Sequence, residues 1–391
     1  MGKLRPQELF SRDLRLWARK ESPATYTWLM SVMTGIQSPT QFAEIMHRVR
    51  NAGLLEKKPS FYIIRLIAIT IISAGLWVLG GYISTLVDQS TIFILLAFLV
   101  VGLLGIVSAQ YGFIAHEAAH RQIFRSNKAN DWFGLVLANL FAGLSYGFWL
   151  RKHNKHHQKP NQIGEDPDIA IRVLSFTPES RDSKKGIERW LTERQGYLFP
   201  LLLLFTGFDL LVDSFAGLKY KERKIGTRFL EFGLMMVRQI APYVVFAILF
   251  GWAWAIALWF FMMMIFGFFM GAAFAPNHKG MPLVEKDAKI DFFTRQVLTS
   301  RNIRGSWLTD NLMGGLNYQV EHHLFPSMAR PYLKRAHKIV LDYCKEHSIP
   351  LVEMNLLSSY VVIMKYLNNV GLSNNSDPFV CPMVATLRPR N

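Results

Sequence analysis

Residues 239–277 read QIAPYVVFAILFGWAWAIALWFFMMMIFGFFMGAAFAPN, 39 positions without one charged side chain. One bilayer crossing takes about 20 apolar residues. The run is therefore nearly two crossings long and reads as a hairpin of helices over 236–251 and 253–276. Gly251 and Trp252 are the expected turn, and Pro242 stands near the start of the first helix. Upstream, no charge occurs between Arg65 and Asp88, nor from Thr91 to Ala115. The short connector around Asp88 to Ser90 joins these into another hairpin, over 64–87 and 91–115.

Basic residues test that topology. Of the 391 residues, 44 are Lys or Arg against 28 Asp or Glu, a net charge of +16. Not one Lys or Arg falls within 66–115 or 239–278. Two hairpins leave all three basic segments on one side, which the positive-inside tendency makes cytoplasmic, with both termini there. No basic stripe interleaved with aromatics stands out, so nucleic acid is not an expected partner. Hydrophobic residues make up 51% and charged ones 18%, too apolar a mix for a disordered chain. Cys344 and Cys381 are the only cysteines, which excludes a disulfide scaffold, an iron–sulfur cluster and a structural zinc site.

Two further apolar stretches are ambiguous. Tyr197 to Leu218 carries Asp209 and Asp213, and an acid at membrane depth costs about 2.5 kcal/mol or more. It is read as an interfacial helix over 197–218, lying on the bilayer. Residues 131–150, interrupted by Gly134, Gly143 and Gly147, are read the same way. The first 60 residues contain Pro6, Asp13 and Glu21 and no apolar core, so no signal peptide is expected. Pro6 also breaks the myristoylation pattern. The expected organisation is a cytosolic N-terminal segment over 1–60, a main domain over 61–350 and a cytosolic C-terminal tail over 351–391, poorly ordered over 373–391.

Eight of the 11 histidines cluster in the basic segments. His116 and His120 form H-E-A-A-H at the end of the second span; His153, His156 and His157 form H-N-K-H-H; His278 directly follows the fourth span; His322 and His323 close Q-V-E-H-H, which opens at Gln319. Residues spaced i,i+3 and i,i+4 share a helix face. Each element thus aims two or three donor atoms at one spot. Eight imidazoles plus Gln319, which is either a ligand or a hydrogen-bond partner, are too many for one ion and suit two. Imidazole takes zinc, copper, iron or nickel. Glu117, Asp166, Asp168, Asp310 and Glu321 are available to accept from the outer N–H of bound histidines. His47, His337 and His347 stand alone and read as ordinary packed or solvated residues. H-E-A-A-H also matches the zinc-protease pattern, with Glu117 as general base. That reading leaves five or six histidines unexplained. A non-catalytic metal-binding or transport protein is the other rival.

The three boxes in this order resemble the membrane fatty acid desaturase family: H-x-x-x-H as His116/His120, H-x-x-H-H as His153/His156/His157, and Q-x-x-H-H as Gln319/His322/His323. Residues 156–168 (HHQKPNQIGEDPD) and 317–326 (NYQVEHHLFP) resemble the family's flanks of the second and third boxes. The likeness covers about 60 to 350, so 61–350 becomes a desaturase domain. The resemblance implies an all-α integral membrane protein, four transmembrane helices in two hairpins under a cytosolic helical cap that holds a di-metal site. It implies two iron ions held by the three boxes and His278, with O2 as co-substrate. The reaction would introduce a cis double bond into a fatty acyl lipid or acyl-CoA in contact with membrane lipid. Gln319 stands where many relatives have His; Gln there is typical of front-end desaturases and occurs in other bacterial acyl desaturases too. Residues 1–60 hold one histidine, His47, and no H-P-G-G haem motif. Electrons are therefore expected from a separate carrier, a ferredoxin or a cytochrome b5 with its reductase, steered to the basic face. Tyr146, Trp149 and Trp307 are the candidates for lining an acyl tunnel. A hydroxylase or ketolase built on the same di-iron core is the runner-up.

Overall fold

The computed structural model describes residues 40–171, 173–220 and 223–372. The readings made of 1–39 and of the tail 373–391 concern positions outside these described residues.

Helix α1 (Thr40–Asn51) precedes a long apolar hairpin, α2 (Pro59–Ser84) and α3 (Thr91–Ala119). Pro59 opens α2 at a position where no backbone N–H is needed. A single turn over Val87–Gln89 links the two, and Ser90 caps α3 by accepting from the Ile92 N–H. Next comes α4 (Asn127–Val136), which widens into a π-turn over Leu137–Ala142 and stops at Gly143, φ +80°. Helix α5 (Tyr146–Gln158) then leaves at 109° to that direction. After two short helices come α6 (Gln195–Gly217), α7 (Ile225–Phe250) and α8 (Trp252–His278). Gly251, at φ +83°, makes the whole turn between α7 and α8, a backbone angle open to glycine at no steric cost. The remainder is α9 (Phe292–Leu298), strand β1 (Arg301–Ile303), a short helix over Trp307–Leu312, α10 (Gln319–Leu324), α11 (Arg330–Glu346), strand β2 (Val352–Met354) and α12 (Leu356–Leu372). The two strands pair in parallel, Asn302 opposite Glu353.

The fold is that of an all-α membrane protein with one minimal strand pair. Among the described residues five helices are long and apolar enough to cross a bilayer: α2, α3, α6, α7 and α8. Helix α3 is central, between α2 and α8. A Cβ on Gly105 would stand 2.8 Å from the Met262 carbonyl, and one on Gly267 would overlap the Gly207 backbone nitrogen. Glycines at these crossings let α8 approach α3 on one side and α6 on the other, which is how helices gain packing contact where lipid offers no hydrophobic drive. Below the hairpins, Ile45 and Val49 of α1 pack with Ala336, Val340 and Tyr343 of α11 in a buried core. Ile363, Leu367 and Val370 of α12 pack against Phe199 and Leu203 of α6.

Several boundaries depart from the sequence reading, each for a physical reason. The third expected span, α7, starts at Ile225, not 236, because the helix runs on through Arg228, Glu231 and Arg238. Charge ends an apolar run without ending a helix. Similarly α3 continues past 115 to Ala119 and so carries His116. The single interfacial helix expected over 131–150 is two elements broken at Gly143. The break is held open by Arg238, whose Nε donates to the Phe141 carbonyl at 2.8 Å. The segment expected over 197–218 is one helix, Gln195–Gly217, long enough to span. Residues 351–372, expected within the tail, form β2 and the buried-faced α12.

Candidate metal centre

Four elements deliver the histidines. The last turn of α3 brings His116, with His120 at its C-cap. Helix α5 brings His153, His156 and His157; its start is fixed by Ser145, which accepts from the Phe148 N–H and donates to Glu231 at 2.6 Å. His278 is the last residue of α8, and α10 carries Gln319, His322 and His323. Arg301, fully buried on β1, donates to the carbonyls of Pro276 and Lys279 at 2.7 Å each and so straps down the end of α8.

All nine sequence-predicted residues meet, and the eight histidines among them sort into two sets. His116, His120, His153, His157 and His322 form one; His156, His278 and His323 form the other, with donor atoms in each set within 4.8 Å of one another. Within the first set, His153 Nε2 faces Nε2 of His116 at 2.9 Å, of His120 at 2.8 Å and of His157 at 3.0 Å. In the second, His278 Nε2 faces His156 Nε2 at 3.2 Å and His323 Nε2 at 3.1 Å. One ring N–H cannot serve three neighbours at once, whereas nitrogens about 2.1 Å from a common ion and at right angles would be about 3.0 Å apart. The nitrogens are thus spaced as ligands are, and the donor sets fit two cations. Burial, followed by the neighbouring imidazoles, pushes His322 and His323 well below their ordinary value. Both are neutral at physiological pH, the form that ligates.

Outer contacts fix the second set. His156 Nδ1 donates to Asp166 at 3.0 Å, with Asp168 at 3.6 Å; His278 Nδ1 donates to the Thr299 carbonyl at 3.0 Å; His323 Nδ1 donates to Gln296 Oε1 at 2.8 Å. Each bond puts the proton on Nδ1 and turns Nε2 inward. Gln319 points its amide nitrogen at His278 Nε2, 2.8 Å away, while its oxygen accepts from Asn277 at 3.0 Å. The atom a cation would take is therefore turned to Asn277.

Of the five acids expected to orient histidines, Asp166 and Asp168 reach a member of the two sets. Glu117 pairs instead with buried Arg330, Asp310 accepts from Asn317, and Glu321 holds His337 at 3.1 Å. His337, read as ordinary, thus sits between Glu321 and Glu353, which push its pKa up although burial opposes them. Gln296 and Thr299 went unread: they lie on and after α9, and no spacing links them to the boxes. Asn277 carried a signal, as an amide beside His278 at the end of an apolar run.

A cavity of about 200 Å³ opens beside the second set, with His156 and His278 in its wall. Trp149 lines it and stacks on His153, ring centroids 4.9 Å apart. The other two tunnel candidates do not take part. Trp307 is 79% exposed, and Tyr146 is buried against Gly134 with its hydroxyl on Asp131.

Against known proteins, the fatty acid desaturase family model matches residues 89–355. Among curated proteins the chain is similar to the Delta(5) fatty acid desaturase of Caenorhabditis elegans, 26% identical over 363 residues, covering 88% of this chain and 77% of that protein. It is similar to the Delta(6) fatty acid desaturase of the same organism, 27% identical with 84% and 74% covered, and to the Delta(8) fatty acid desaturase of Euglena gracilis, 27% identical with 85% and 78% covered. The match spans well over half the chain, which therefore belongs to the fatty acid desaturase family. It is an enzyme, an oxidoreductase, with a fatty acyl substrate and a lipid environment.

Proposed function

We propose that this protein is a membrane di-iron fatty acyl desaturase that uses O2 to introduce a cis double bond into an acyl-lipid or acyl-CoA chain. The observation that carries the reading is the pair of imidazole sets, one of them set into the wall of a largely apolar cavity. His116, His120, His153, His157 and His322 would hold one iron; His156, His278 and His323 would hold the other, with Gln319 beside them. When bound, the irons supply the oxidising power to take hydrogen atoms from an unactivated methylene, which no acid or base can do. The chain's own residues do the rest. Asp166, Thr299 and Gln296 keep three imidazoles aimed inward, and the apolar wall keeps water from the acyl chain.

The meeting of the histidines supports the topology of this reading. His156 precedes α6 and His278 ends α8, yet the two rings face each other at 3.2 Å. The stretch between them must cross the bilayer an even number of times. With α7 and α8 crossing as a hairpin, α6 does not cross, and Asp209 and Asp213 stay out of the bilayer centre. Four spans result: α2, α3, α7 and α8, with the centre and both termini on the cytoplasmic side. Electrons come from an external carrier, a ferredoxin or a cytochrome b5 with its reductase, met by the basic face.

Expression in a host, followed by fatty acid profiling and metal analysis, tests the reading. The expected result is new acyl chains lighter by two hydrogens and about two irons per chain. One zinc per chain and an unchanged profile would overturn it. Chains heavier by one oxygen would mark a hydroxylase instead.

A further inference from the structure

The cavity beside the second imidazole set is not uniformly apolar. Its body is Leu174, Phe176, Phe199, Leu203, Leu283 and Tyr366, all from one apolar cluster. Its charged wall residues are Lys152, Asp168, Asp209 and Lys279. Three of them sit at the imidazole end. Asp168 lies 3.6 Å from His156 Nδ1 and 3.4 Å from the Lys152 ammonium, and Lys279 follows His278 directly in the chain.

Lys152 and Asp168 are engaged with one another. Lys279 is not. Its ammonium stands 4.7 Å over the Phe176 ring; Asp168 and Asp166 attract it through space, but among the described residues its side chain forms no ion pair or hydrogen bond. Its backbone is immobilised, because Arg301 donates to its carbonyl at 2.7 Å. A half-buried ammonium held over an aromatic face retains three N–H donors for whatever fills the cavity. A hydrocarbon cannot use them. A donor turned into an occupied cavity and left unmatched disfavours binding, so an occupant that brings an oxygen to this point binds better than one that does not.

We infer that Lys279 binds the carbonyl end of the acyl chain and so fixes which carbons lie beside His156 and His278. The inference rests on the fatty acyl reading above, and names the contact through which that substrate is positioned. Ester, thioester and free carboxylate all offer the required oxygen. The chain beyond it runs into the apolar body formed by α6 and α12.

Binding is measured on the iron-loaded full chain in lipid nanodiscs, with palmitic acid, methyl palmitate, palmitoyl-CoA and hexadecane. Lys279→Met keeps the apolar stem and removes the charge. It should weaken the three carbonyl ligands about tenfold or more, the size of one charge-assisted hydrogen bond, leave hexadecane unchanged, and leave bound iron unchanged. Lys279→Arg should restore much of the loss. Equal binding of all four ligands by wild type and Lys279→Met overturns the proposal. So does a loss confined to palmitoyl-CoA, which would assign the cation to the phosphates. Should Lys279→Met fail to fold, the wild-type product decides. Across acyl chains of increasing length, a double bond at a constant count from the carbonyl carbon supports the anchor, and a constant count from the methyl end overturns it. The binding arms need no turnover, so an absence of desaturation alongside the expected binding pattern defeats the proposed function and spares this contact.

Discussion

The two imidazole sets are built on different plans. In the second set every histidine has its outer nitrogen held, by Asp166, by the Thr299 carbonyl or by Gln296. In the first, five rings lean on one another, centroids about 4.5–4.8 Å apart for most neighbours, and His157 Nδ1 is buried with no hydrogen-bond partner among the described residues. One set is aimed by its surroundings; the other is aimed by its own crowding and by the helices that carry it. The lesson is that the set facing the cavity has the more rigid support. Small displacements there would move the reacting carbons, and its anchors come from parts of the chain with no box of their own.

Breaking the sets directly should have the largest effect. His157→Ala in the first and His323→Ala in the second should each abolish product in a fatty acid profile and lower iron from about two per chain toward one. Full activity of either variant would defeat the assignment. Next in size is Glu117→Gln, which sharpens the contrast because Glu117 sits inside the first box yet touches no imidazole of either set. It should cost about 3–5 kcal/mol of stability by leaving Arg330 buried and uncompensated, measured by thermal unfolding, while iron per folded chain holds. Gln296→Ala removes an anchor from the second set and should weaken iron binding about 10–100-fold, read by chelator competition. An equal loss from Glu117→Gln would erase the distinction between the sets.

Acid should act on the metal-free protein through the same histidines. His322 and His323 are held neutral in the fold, so below about 6.5 the unfolded chain takes up protons that the folded chain refuses. Stability of the metal-free protein should therefore fall as pH drops through that point, seen as a lower unfolding temperature at pH 5.5 than at 7.5. His347→Ala, at the end of α11 and away from both sets, should change stability by less than about 0.5 kcal/mol.

Most of the centre was legible in the sequence. Helical spacing put His116 with His120 and His153 with His157 on common faces, and the fold gathers all four elements at one place. His278, a lone residue at the end of an apolar run, belongs with the rest. What stayed hidden was whatever depends on contact between distant segments. Asp166 and Glu321 looked alike as acids near a box, yet one holds His156 and the other His337. Gln296 had no pattern to announce it. Trp307 and Trp149 looked equally suited to line a tunnel, and only the folded chain separates them, one exposed and the other in the cavity wall. The helix break at Gly143 was read as an interruption, not as a corner. The corner depends on Arg238, nearly a hundred positions away in the chain.

The short strand pair β1–β2 carries a consequence for how the enzyme is made. Arg301 on β1 straps the end of α8, and β1 is completed only by β2 at Val352–Met354, after every histidine of both sets has been synthesised. A nascent chain that has not yet delivered residue 322 owns the first imidazole set only in part and the second without its third ring. A complete donor set for any metal therefore exists only after translation of nearly the whole polypeptide, and a chain cut just before β2 would carry all its donors with the strap unfastened.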